Sequence, residues 1–382
     1  MLDNPHHPSS CPEQMDGVFV LFSGHNDRAV ITLCRFFNRF RIPFLIICSS
    51  GTDAIASTDW SSASLLSRID RALDVALFDV VMQVVKNTFG ANAGPIYCPT
   101  TEFMNQFVLE ERTELLRLGW KIMLPSSEIY REVTNKVTSK DVVKRLTGIT
   151  APAELPWTDL KAPCVLKPIE NILGDKVYYP RLCHTDSELK KALGEIDTQF
   201  WFAQSWIDGQ SYYLCAYITL DGRYAHFWQQ NLLQQPGGKS IVLARTISNP
   251  GMPVDPFFQE LVAAGYRGPL MLEIIIDAAG KSNFIEINPR FWGPLQLALS
   301  ACPRILKLFA DDAGFFSSPE NAADEDRVEN NHWYAWSLGA QLPGCKRYPA
   351  LAAIEALHPL PELLERWDVY AAPDTKYLHN RH

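Results

Sequence analysis

The stretch from Leu270 to Gln296 constrains this chain more than any other. Two aliphatic runs, 270–276 and 283–287, flank Ala278-Ala279-Gly280-Lys281, which predicts two antiparallel strands joined by a four-residue loop. Side chains alternate along a strand, so Glu286, Asn288 and Arg290 share one face while Ile285 and Ile287 take the other. With 278–281 as the turn, Asp277 faces Ser282 and Glu273 stands opposite Glu286. Cross-strand partners have Cβ atoms about 5 Å apart and like charges there repel. Two facing carboxylates in runs this apolar are costly unless something positive lies between them. Mg²⁺ meets that need, because it takes oxygen ligands and completes its shell with water and phosphates. Glu273, Glu286 and Asn288 are then candidate metal ligands, and Arg290 offers its planar fork to phosphate or carboxylate. The plainer alternative is an amphipathic surface hairpin with a solvated polar face. Pro289 ends the ladder and frees the strand end.

A chain of 382 residues points to two or three domains rather than one core. Its net charge of −8 and the absence of a lysine or arginine run argue against nucleic acid as a partner. Residues 1–15 read as a polar, disordered leader without the basic start and apolar core of a secretory signal. No apolar run approaches the roughly 18 residues that cross a bilayer, so no membrane partner is expected. The nine cysteines include no C-x-x-C pair. Most lie in apolar runs, as buried reduced thiols do, which predicts a cytoplasmic protein.

Taken from the N-terminus, 17–22 reads as a buried strand that breaks at Gly24 into a helix over 27–40. Residues 41–48 follow as a parallel second strand, a β-α-β opening. The single Gly24 is not a G-x-G-x-x-G loop. Residues 78–85 suit either a strand or a buried helix, and 94–98 is a strand leading to a helix. Thr138 or Ser139 can cap a helix that ends at Gly148. Lys167 ends the apolar run 162–166, where an ammonium is costly unless it emerges beside an anion. Residues 212–220 and 224–232 form a further hairpin, 295–309 read as helical, and 351–367 is a leucine-rich segment.

Glu273, then Glu286-Ile287-Asn288-Pro289-Arg290, resembles the metal-binding end of the ATP-grasp superfamily, as in biotin carboxylase, carbamoyl phosphate synthetase and D-alanine–D-alanine ligase. The resemblance implies an α/β chain: a Rossmann-like domain over 16–130, then an ATP-grasp module of α+β type over 131–300. That module comprises a small lid at about 160–205 and a metal-binding part at about 206–300, with a helical or mixed extension over 301–382. It implies ATP with Mg²⁺, or Mn²⁺ in its place, on Glu273, Glu286 and Asn288, with Arg290 and Lys167 in catalysis. Lys136 and Lys167 match the two phosphate lysines, although Asn135 stands where an aspartate is usual and Lys140 is a nearby competitor. One glycine, Gly174, replaces the usual glycine-rich loop, where Lys176 can add charge. Gln204-Ser205-Trp206-Ile207-Asp208-Gly209 is similar to the adenine hinge, with Gln204, Ser205 and Ile207 as contacts. Arg245 and Lys239 are candidates for the acceptor pocket.

The implied activity is ATP-dependent joining of a small carboxylic acid or amino acid to an amine through an acyl phosphate. The resemblance also allows a homodimer. Phosphorylation with a non-amine acceptor, and a degenerate ATP-binding regulatory protein, are the alternatives.

Overall fold

The computed structural model describes residues 17–49, 53–68, 73–173, 176–316 and 330–379. The expected leader lies outside them, as do Gly174 and Asp175 of the expected phosphate loop.

Strand β1 (Gly17–Phe22) pairs in parallel with β2 (Phe44–Cys48) and with β4 (Gly94–Tyr97), and β2 pairs with β3 (Ser64–Ser67). The order is β3-β2-β1-β4. A central parallel strand is apolar on both faces: Val18, Val20 and Phe22 pack against Phe78, Val81, Met82 and Val85, while Phe19 and Leu21 meet the helix Asp27–Phe40. The spacing of 78, 81, 82 and 85 is helical, and Val75–Phe89 is a helix, which resolves that ambiguity.

A second, antiparallel sheet contains β5 (Glu154–Leu155), β6 (Cys164–Pro168), β9 (Arg181–Cys183) and β10 (Trp201–Ser205) in the order β5-β10-β6-β9. A ribbon of β7 (Ile172–Leu173) and β8 (Lys176–Val177) projects between β6 and β9 in the chain. The helix Asp186–Leu193, started by a reciprocal Thr185/Glu188 capping box, packs Leu189 and Ala192 on this sheet.

The largest sheet holds β11 (Gly209–Ile218), β12 (Tyr224–Gln234), β13 (Ile241–Ile247), β14 (Gly268–Asp277), β15 (Ser282–Asn288), β16 (Trp333–Ala335) and β17 (Lys346–Arg347). Its order is β15-β14-β11-β12-β13-β16, with β17 on the end of β12. One face, through Leu214, Ala216, Leu272 and Ile274, packs with Val143 and Phe257 of the helices Thr138–Thr147 and Val254–Ala263. The other carries Tyr213, Cys215 and Tyr217 into a core shared with Phe19, Phe291 and Phe309. Two of the seven strands, β16 and β17, come from beyond residue 300.

Gly209 opens β11 because a Cβ there would lie 2.3 Å from the Ile276 carbonyl oxygen. All eight described cysteines are free thiols, seven of them buried. Among the described residues no helix is long and apolar enough to cross a membrane.

Candidate active site

Glu273 on β14 pairs directly with Glu286 on β15, although the route to that register differs from the expected one. Ile276, not Asp277, pairs with Ser282, so the loop is one residue longer, and a bulge at Ile285 restores the step. Asp277 closes the loop by accepting the Ala279 and Lys281 N–H groups at 3.0 Å each. The bulge also leaves the Ile285 carbonyl outside the ladder, where it accepts the Lys167 ammonium at 3.2 Å. Lys167 reaches it from the end of β6, joining the second sheet to the third.

The pair is tightly held. Ser211 Oγ donates to Glu273 Oε1 at 2.8 Å and accepts from Asn231 Nδ2 at 2.8 Å, while Gln229 Nε2 donates to Asn231 Oδ1 at 2.7 Å. Asn288 Nδ2 donates to Glu286 Oε1 at 2.7 Å, leaving its own carbonyl oxygen for another partner. Glu273, Asn288, Lys136 and Lys167 are all buried. Burial and the facing Glu286 hold the Glu273 carboxyl up to about 7, against the Ser211 hydrogen bond and the Lys167 and Lys346 ammoniums. Burial acts the same way on Glu286, but Lys136, Lys167, Asn288 and Arg290 together bring it below the usual carboxylate range. Burial likewise lowers Lys167 to about 8, with Lys136 adding to the effect and both carboxylates opposing it.

Lys136 and Lys140 go to different places. Lys136 Nζ bonds Asn171 Oδ1, whose amide donates to Glu102 at 3.0 Å, and it acts on Glu286. Lys140 pairs instead with Glu154 near the surface. The start of the helix Thr138–Thr147, which carries Lys140, is held by Asn135, whose Oδ1 accepts the Val137 and Thr138 N–H groups at 2.9 and 3.2 Å. Neither Thr138 nor Ser139 caps it.

Arg290 follows the carboxylate strand, donates to the Phe291 carbonyl at 3.3 Å and has no ion pair among the described residues. Its loop is clamped from the first sheet: Asn26 donates to the Phe291 carbonyl at 3.1 Å, Asn105 to the Pro289 carbonyl at 3.1 Å, and Phe291 N–H to Pro99 at 2.9 Å.

At the expected hinge, Gln204 is buried and gives Nε2 to the Pro152 carbonyl at 3.4 Å, while its Oε1 has no partner among the described residues. Ser205 gives its N–H to Ala153 at 2.9 Å, so that N–H is not available to an adenine edge. Ile207 lies half-buried in the 206–208 link between β10 and β11.

Three candidates are not brought to the cluster. Lys176 on β8 is exposed. Lys239 is exposed in a turn, its carbonyl accepting from Gln234 at 2.9 Å. Arg245 pairs in register with Gln230, Gln230 with Tyr212 and Tyr212 with Ile274, which puts it on the sheet face opposite Glu273. There it donates to Gln230 Oε1 at 2.9 Å, lies over Trp333 and lines a surface cleft with Asn331 and His358.

Sequence reasoning missed Ser211, Asn231, Asn105 and Lys346. A buried amide or hydroxyl in an apolar strand or helix is the signal for the first three; Lys346 carries none.

Among the described residues no group of three His, Cys, Asp or Glu side chains could hold a metal. Glu273 and Glu286 face each other and Asn288 keeps its side-chain oxygen available, a set of oxygen donors that fits a cation whose remaining ligands are phosphate and water, as Mg²⁺ prefers.

No protein-family model matches the chain, and no curated protein matches it in sequence. Solved structures match it in fold. The biotin carboxylase domain of Hydrogenobacter thermophilus 2-oxoglutarate carboxylase, solved as a dimer with MgADP, ADP and bicarbonate, is 15% identical at a TM-score of 0.59, over 84% of this chain and 74% of its own. The L-amino acid ligase of Bacillus licheniformis is 13% identical at 0.57, over 84% and 79%. An N5-carboxyaminoimidazole ribonucleotide synthetase with ADP is 11% identical at 0.54, over 75% and 73%.

Proposed function

We propose, from the ATP-grasp fold that the chain shares with these structures, that it is an ATP-dependent carboxylate–amine ligase. One observation carries the reading: two facing carboxylates, Glu273 and Glu286, with Asn288 beside them and two buried lysines against them, Lys167 from the neighbouring sheet acting on both and Lys136 from the turn before the helix Thr138–Thr147 acting on Glu286. A buried like-charged pair is retained at a cost, and a metal-bound triphosphate accounts for both the acids and the lysines.

Glu273, Glu286 and Asn288 would hold Mg²⁺, which supplies charge neutralisation at phosphate oxygens. Lys136 and Lys167 hold the phosphates, and Gln204 Oε1, without a partner among the described residues, suits an exocyclic amine beside the 206–207 backbone. The substrate carboxylate attacks the γ-phosphorus and the bond to ADP breaks. Arg290 stabilises the charge on the transferred group. An amine then displaces phosphate from the acyl carbon and loses a proton, giving the amide. The protein contributes positioning and charge, as phosphoryl transfer requires.

ADP release with Mg²⁺ and ATP across pools of amino acids and small carboxylates, beside a Glu286→Gln control, tests this. Turnover that needs both an acid and an amine and is lost in the control is the expected result. ADP formation without an amine would replace ligation by phosphorylation of another acceptor.

A further inference from the structure

We propose that Lys346, from the last strand of the large sheet, binds the phosphate chain of the nucleotide from the hinge side. The inference rests on the nucleotide reading of the cleft and adds a residue from the C-terminal segment to it.

Strand β17 pairs with the end of β12, Gln234 opposite Lys346 and Leu233 opposite Arg347, just past the register shifts in β12. That placement turns Lys346 toward the link between the two sheets. Its ammonium lies 4.7 Å from the ring centroid of Trp206 in that link and 4.7 Å from the ring of Tyr348. Tyr348 is itself fixed, buried and donating to Gln234 Oε1 at 2.6 Å. Two aromatic faces hold the cation in place, but they accept none of its three N–H groups. Among the described residues the Lys346 ammonium makes no hydrogen bond and no ion pair.

The cation–π contact with Trp206 fixes the ammonium at the link between the two sheets, and the charges that act on it agree with that place. Lys346 acts on Glu273, Lys136 on Glu286 and Lys167 on both. Asp208, exposed at the hinge, is the other carboxylate acting on Lys346. The ammonium thus stands between the hinge, where a base would sit, and the carboxylate pair, where a metal-bound triphosphate would end. A half-buried cation with open donors at that point fits an anionic oxygen of the phosphate chain.

Calorimetric titration of the full-length protein with Mg·ATP and with adenosine tests the assignment on wild type, Lys346→Met and Lys346→Arg. The methionine variant should bind Mg·ATP about tenfold to a hundredfold more weakly, the range for a hydrogen bond to a charged group, and adenosine within twofold of wild type. The arginine variant should recover most of the Mg·ATP affinity. Melting of the nucleotide-free variants within a few degrees of wild type confirms that the fold is retained. Equal loss for ATP and adenosine would make Lys346 a packing residue and overturn the proposal. Unchanged Mg·ATP affinity in Lys346→Met, with wild type binding normally, overturns this assignment alone. A wild type that takes up no Mg·ATP overturns the nucleotide reading as well.

Discussion

Glu273 keeps its orientation through one hydroxyl, and the polar chain behind that hydroxyl explains why the middle of an otherwise apolar sheet contains Ser211, Asn231 and Gln229. Partners that orient a metal ligand matter nearly as much as the ligand, so Ser211→Ala should raise the Mg²⁺ requirement for ADP formation by about tenfold to a hundredfold. It should also cost about 1–3 kcal/mol of stability, because Asn231 loses its acceptor and Glu273 its donor. A Mg²⁺ titration of activity and urea unfolding measure the two effects, and an unchanged Mg²⁺ requirement would remove the metal from Glu273. The two lysines near the start of the module make a sharper comparison. Lys140 is engaged in a surface pair with Glu154, an interaction worth about 0–1 kcal/mol. Lys140→Ala should therefore leave Mg·ATP affinity within twofold. Lys136→Ala should reduce that affinity by about tenfold or more, the loss of a charge-assisted contact. Equal effects in the two variants would mean that neither lysine is specific to the phosphates.

Asn135 occupies a position where the resemblance leads one to expect aspartate, yet its carbonyl oxygen accepts the same two N–H groups at the start of the helix Thr138–Thr147. Replacing it with alanine should destabilise the protein by about 0.5–2 kcal/mol, the usual cost of losing a cap. Asn135→Asp should be neutral or stabilising by about 0.3–1 kcal/mol, because a negative charge suits a helix N-terminus. Thermal unfolding decides both, and a destabilising aspartate would show that the amide's bond to Glu170 matters more than the cap. The carboxylate hairpin shows how far elements were legible. Alternation and loop length placed Glu273 opposite Glu286, but through a four-residue turn and a straight ladder. The protein uses a longer loop and a bulge at Ile285 whose two offsets cancel. Nothing in the order of apolar residues distinguishes these routes, because a bulge is chosen by what its freed carbonyl meets, here Lys167. The position of Arg245 on the face opposite Glu273 was illegible for a related reason: a basic residue near glycines gives no information about which sheet face it will occupy.

At the scale of the whole molecule, the β-α-β opening and the alternating strands of the module were legible because their periods are local. The contacts that join the sheets were not, since they bring together residues 118 to 265 positions apart. Asn105 is the clearest of these. It is fully buried, accepts from Tyr97 at 2.8 Å, and donates to Tyr130 at 3.2 Å and to the Pro289 carbonyl at 3.1 Å. It thereby ties the first sheet to the loop that presents Arg290. Asn105→Ala leaves two phenols and a carbonyl short of partners, and should cost about 2–4 kcal/mol, as the loss of a buried hydrogen-bond network does. If the first sheet serves the site by holding this loop, turnover should fall by about tenfold or more, since small misplacements of a positioned group are expensive. Mg·ATP affinity should change less, because the lysines that hold the phosphates come from other elements. Binding and steady-state kinetics on the folded fraction separate the two. Parallel losses of affinity and turnover would mean that the first sheet supports the whole cleft, whereas a selective loss of turnover would place its role at Arg290 and the chemical step.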